Sequence, residues 1–122
     1  MSHRMAKLYR DVDLESAPKG QILERLLGRL HLDLTTGRQA ITDRKIETKA
    51  AALGHAQQIL VELRAALDHA QAPELCANLE RLYDFVNERI NTAGTQLKTA
   101  PIDDACQVVT ALGDAFREAR SL

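Results

Sequence analysis

The sequence predicts an all-α protein: an antiparallel four-helix bundle over residues 16–122, preceded by a short N-terminal arm or cap at residues 1–15. Three observations carry that prediction. Hydrophobic residues make up 45% of the 122 residues and charged residues 27%, as in a chain that buries one core. Aromatics are 3% and tryptophan is absent, so the apolar mass is mostly Leu and Ala, which favours helices over strands. Apolar positions also recur at helical spacing in successive segments separated by breaks that contain Gly or Pro.

In the first segment Ser16 is placed as N-cap, and Pro18 is tolerated in a first turn. Ile22, Leu23, Leu26, Leu27, Leu30, Leu34 and Ile41 mark its apolar face, and the helix ends between Gly37 and Thr42. The second segment starts near Asp43 and aligns Ile46, Ala50, Leu53, Ala56 or Gln57, Leu60, Leu63, Leu67 and Ala70, a stripe of about seven turns. Gln71 and Ala72 then lead into Pro73, suited to the first position of a third helix, with Glu74 placed for the positive end of its dipole. That helix carries Leu75, Leu79, Leu82, Val86, Ile90 and Ala93, and breaks between Asn91 and Thr99 with Gly94 near its C-terminus. Pro101 opens the fourth helix with Asp103 and Asp104 in the first turn, followed by Ile102, Ala105, Val109, Leu112, Phe116 and Ala119 on the buried face.

Composition and spacing exclude several function classes. Sixteen Lys and Arg stand against seventeen Asp and Glu, a net charge of −1, so no basic excess is available for nucleic acid. No apolar stretch approaches the roughly 20 residues of a membrane span, and the N-terminus lacks the apolar segment of a signal peptide, so a cytosolic protein without membrane insertion is expected. Cys76 and Cys106 form no Cys-x-x-Cys motif. They fall at opposite ends of antiparallel neighbours, roughly 15–20 Å apart at the rise of a helix, too far for a disulfide.

A bundle can hold metal through Glu-x-x-His pairs. The residues three before His31, His55 and His69 are Gly28, Ala52 and Ala66, so no metal site is expected. No nucleophile elbow, Ser/His/Asp grouping or phosphate loop is present, so no enzyme activity, cofactor or small-molecule substrate is expected either. The one enzyme-like alternative is a histidine phosphotransfer bundle using His55, and there Gln58 and Ile59 stand where a cation is wanted. The third segment groups Asn78, Tyr83 and Asp84 beside its apolar stripe, which suits either a core tyrosine with its hydroxyl at the rim or a binding surface.

Residues Ile59, Glu62, Leu63, Leu67 and Asp68, followed by Glu74, Leu75, Asn78, Leu79, Leu82, Tyr83, Asp84, Phe85 and Arg89, form a run that resembles the signature of the flagellin-specific export chaperones, the FliS family. Upstream, Tyr9, Val12, Leu14, Ser16 and Ala17 resemble that family's N-terminal tyrosine segment. Leu26, Leu30, Asp33, Leu34, Ala40 and Ile41 match its first helix, and Leu112 and Ala115 its last. Two departures stand out. Arg25, Leu26, Leu27, Gly28 and Arg29 replace a Met-Leu-aromatic-Asp-Gly run, and Phe116 replaces a late tryptophan.

The resemblance implies a non-enzymatic cytosolic chaperone. It would bind the C-terminal helical segment of flagellin, prevent premature polymerisation, and deliver its client to a gate component of the flagellar type III export apparatus. It further implies Leu8 and Tyr9 as a cap over the client groove, Asn78 and Tyr83 as the groove's polar rim, and Asp68 and Asp84 as orienting charges.

Overall fold

Leu-rich stripes bounded by Pro73 and Pro101 leave the chain little choice but helices, and the computed structural model, which describes residues 17–121, contains four: α1 (Ala17–Thr42), α2 (Ile46–Ala65), α3 (Pro73–Gln96) and α4 (Ala100–Ser121). Among the described residues there is no strand. Helix α1 packs against α2 and α4, and α3 closes the ring against the same two, so chain neighbours are spatial neighbours in an antiparallel bundle. The expected arm at residues 1–15, with Leu8 and Tyr9, lies outside the described residues, as does the Ser16 cap.

Each helix contributes one apolar row to the core. Leu30 and Leu34 of α1, Leu63 of α2, Val86 and Ile90 of α3 and Phe116 of α4 are at most 2% exposed. Small residues on the same rows, Ala56, Ala93, Ala105 and Ala119, are also buried and let the helices approach. Cys76 and Cys106 are free thiols, Cys76 buried and Cys106 half-buried.

The structure corrects the expected extent of α2. The stripe continues in period through Leu67 and Ala70, but the helix stops at Ala65 and residues 66–72 form a turn. Two local causes end it. The Asp68 carbonyl accepts from the backbone N–H of Gln71 and Ala72 at 3.2 and 3.1 Å, and Asp68 Oδ1 accepts from the Gln71 N–H at 3.2 Å, a turn that competes with helix. Pro73 also forces Ala72 out of the helical region, to φ −144°. Ala70 is therefore exposed.

Ile22 and Ile46, both read as stripe residues, are 55% and 57% exposed, and Ala50 is exposed too. Ile22 precedes the Leu23 row by roughly 100° of helix, and Ile46 begins α2 beyond its packed layers. Helix α3 runs past Gly94 and is capped by Leu97 in the left-handed conformation.

Gly37, expected near the end of the first helix, is an interior residue of α1 with a packing role. A Cβ at this position would lie 2.5 Å from Leu53 Cδ2 and 3.0 Å from its Cγ. At Gly28, on the same helix, an added Cβ would meet nothing within 4 Å. Alanine is therefore expected to act with opposite sign at the two sites. Gly28→Ala gains up to about 1 kcal/mol of helix propensity. Gly37→Ala loses on the order of 1 kcal/mol, because displacing the buried Leu53 outweighs that gain. Parallel thermal melts of the two variants check the difference in sign.

Candidate functional site

The N-terminal part of α1, the C-terminal ends of α2 and α4 and the start of α3 meet at one end of the bundle. Their apolar rows leave there a narrow cleft whose free space is only about 20 Å³, room for roughly one water. Leu23, Leu27, Leu63, Leu75, Leu79 and Phe116 line it, and Ala66, Leu67 and Asp68 from the α2–α3 turn form one wall. Tyr83 closes the floor at 3% exposure.

A second depression of about 290 Å³ runs between α1 and α4, lined by Glu24, Leu27, Gly28, His31, Val109, Thr110, Gly113 and Arg117. Glycines stand on both walls: Gly28 faces open space, and a Cβ on Gly113 would meet only the Arg117 guanidinium, at 3.6 Å. Leu27, itself buried, lines both the cleft and this groove, so the two are neighbours across one side chain. Missing side chains on both walls let another backbone come close.

The residues singled out in the sequence separate into distinct places. Asp68 and Tyr83 share the cleft. Asn78 lies roughly 140° around α3 from Tyr83, half-buried, where its Oδ1 accepts from Arg81 Nη1 at 2.7 Å. Asp84 is exposed on the α2–α3 seam and pairs with Arg64, whose Nη1 also donates to Glu80 Oε2 at 3.1 Å. Glu80 in turn meets His69 at 2.6 Å, so the α2–α3 turn is tied to α3 by a polar chain. Leu8 and Tyr9 are outside the described residues.

The cleft residues that sequence reasoning did not single out are Leu23, Leu27, Leu75 and Phe116, which read as ordinary stripe positions. The only local signal was their grouping at helix ends, where a period cannot say whether a neighbour covers the residue.

The titratable groups act as helix-to-helix ties. Arg38 Nε donates to Asp103 Oδ1 at 2.7 Å across the α1–α4 seam, and this hydrogen bond holds the Asp103 carboxyl below its ordinary range. Arg89 lies 3.6 Å from Asp104 across the α3–α4 seam. Burial pushes the Cys106 thiol up, with Asp103 adding to the effect and Arg38 opposing it, so it stays protonated and a poor nucleophile at neutral pH. His55 is half-exposed on α2, with Nδ1 in hydrogen-bond contact with the Asp33 carboxylate of α1. Asp33 is 5% exposed and also has Arg29 Nε at 3.6 Å. Among the described residues no group of three or more His, Cys, Asp or Glu could hold a metal ion, and no helix is long and apolar enough to cross a membrane.

Comparison with known proteins assigns this helical chain to a family. The family described as "Flagellar protein FliS" matches residues 1–122. The chain is similar to "Flagellar secretion chaperone FliSB" of Pseudomonas aeruginosa, 31% identical over 80% of this chain and 81% of the relative. It is 26% identical to "Flagellar secretion chaperone FliS" of Vibrio cholerae over 87% of this chain and 78% of that protein. The relative of the same name from Salmonella typhimurium is 26% identical over 92% and 87% of the two chains. With its whole length matched and its four helices in place, the chain belongs to the FliS family of flagellar secretion chaperones.

Proposed function

We propose that this protein is a non-enzymatic cytoplasmic export chaperone that binds the C-terminal helical segment of flagellin, keeps it from polymerising early, and hands it to the flagellar type III export gate. The observation that carries the proposal is the α1–α4 groove walled by Gly28 and Gly113, which lies beside the apolar cleft with Leu27 lining both. Unassembled flagellin ends carry apolar helical stripes. A binder covers such a stripe by offering one apolar anchor pocket and a channel narrow enough for a helix.

The leucines around the cleft part to form the pocket, and the two glycines supply the channel. Transfer of apolar surface, at about 25 cal/mol per Å² before ordering costs, drives capture without ATP. Within this reading Asp68 orients the client at the cleft mouth, and Asn78 and Asp84 contact it outside the cleft. Tyr83 forms the cleft floor, and Leu8 and Tyr9 cover the groove when no client is bound. His55, the candidate for a phosphotransfer reading, serves instead as the partner of a buried carboxylate.

The test is binding of a labelled flagellin C-terminal peptide to the full chain and to the chain lacking residues 1–14. A one-to-one complex is expected, tighter without the cap. Filling the channel with Gly28→Phe is expected to weaken it by about tenfold or more without lowering the melting temperature, since binding there relies on close backbone approach. No complex with either form sinks the proposal.

A further inference from the structure

At the opposite end of the bundle from the cleft, the α1–α2 turn and the end of α3 border a third, open depression of about 390 Å³. Its apolar surface comes from Ile41, Ile46 and Leu97, and its charged residues are Arg44, Lys45 and Lys49, with no carboxylate among the lining residues. The nearest acids in sequence are engaged or face elsewhere: Asp43 accepts from Gln39 Nε2 at 3.1 Å, and Glu47 does not line the groove. Lys49 Nζ donates to the Gly94 carbonyl at 3.0 Å, while among the described residues no carboxylate forms an ion pair with Arg44 or Lys45.

Two features of this end cost the fold free energy. Arg44 and Leu97 are the non-glycine residues with positive φ among the described residues, at 58° and 56°. The left-handed region is unfavourable for both, and glycine would adopt it without strain. Leu97 and Ile46 are also 51% and 57% exposed, so neither strain nor exposure is repaid by burial in the core. The N-cap of α2 is Lys45, which makes no side-chain cap, so a cation sits at the positive end of a helix dipole. Both left-handed residues close helix C-termini, Arg44 by letting the Lys45 N–H donate to the Ala40 carbonyl at 2.8 Å and Leu97 as the cap of α3, so what marks this end as a binding surface is its exposed apolar side chains beside cations.

We infer that this groove docks an acidic amphipathic segment of a second protein partner, its apolar side chains on Ile41, Ile46 and Leu97 and its carboxylates facing Arg44 and Lys45. Charge complementarity selects the occupant: a basic or uncharged helix would leave these cations unpaired beside an uncapped helix N-terminus. Because the groove and the client cleft lie at opposite ends of the bundle, the chaperone can hold the client and this partner together.

The probe is a labelled amphipathic peptide of about 14 residues, Leu on one face and Glu on the other, compared by fluorescence anisotropy with the same peptide carrying Lys for Glu. The acidic peptide is expected to saturate one site and to weaken as salt is raised. Its affinity is expected to fall by about tenfold in Arg44→Glu/Lys45→Glu while surviving Gly28→Phe, which alters the other surface. Leu97→Gly is expected to weaken binding and raise the melting temperature together, a pairing that a purely structural Leu97 would not produce. Equal binding of the two peptides, or undiminished binding by Leu97→Gly, overturns the inference. So does a concentration-dependent dimer that Leu97→Gly dissociates, which would seat a second copy of the chain in the groove.

Discussion

Phe116→Ala is expected to lower the free energy of unfolding by about 3–5 kcal/mol, read from the midpoint of urea denaturation. Phe116 is fully buried and lines the inner side of the cleft, so truncation removes packing from the core and from the cleft wall at once. The remaining space opens into the existing cleft rather than closing over as a sealed void, which places the loss towards the lower end of that range. Phe85 is the control. It is 42% exposed on α3, and Phe85→Ala is expected to change stability by no more than about 0.5 kcal/mol. Equal losses at the two positions would mean that the core does not centre on the α4 row.

His55→Leu is expected to cost about 1–3 kcal/mol, because it leaves the buried Asp33 carboxylate with only the Arg29 guanidinium at 3.6 Å. The exposure of the imidazole and of Arg29 keeps the loss well below that of a fully buried ion pair. The double variant Asp33→Leu/His55→Leu is expected to recover most of that stability, since it removes the buried charge together with its partner. A double-mutant cycle measured by thermal denaturation checks the coupling. Flagellin binding by the double variant is expected to match that of the unaltered chain. Loss of binding in this well-folded variant would give His55 a role beyond tying α1 to α2.

The fold was legible where backbone chemistry and period agreed. Pro73 and Pro101 lie in the first turns of α3 and α4, and the Leu30, Val86 and Leu112 rows are buried as their spacing requires. It was not legible at the end of α2. Leu67 and Ala70 kept the helical period, while a single carboxylate at Asp68 and the proline five residues on imposed a turn.

The candidate site was legible in part, for a similar reason. Spacing places Asn78, Tyr83 and Asp84 on one helix but does not say which helices flank it. The flanks put Tyr83 in the cleft and Asp84 on the α2–α3 seam. The groove at the far end left no trace in the period. It depends on Arg44 and Leu97 adopting a backbone conformation that neither residue advertises.

The recess at Gly37 makes the register of the bundle discrete. Leu53 fits opposite position 37 because there is no side chain there. Sliding α1 by one turn in either direction, about 5.4 Å, would bring Leu53 towards Asp33 or Ile41, each already filling its place. Helices α1 and α2 therefore behave like a key and its ward. They cannot slide past each other by a turn, and adjustment along the cleft and groove is left to side-chain rotation.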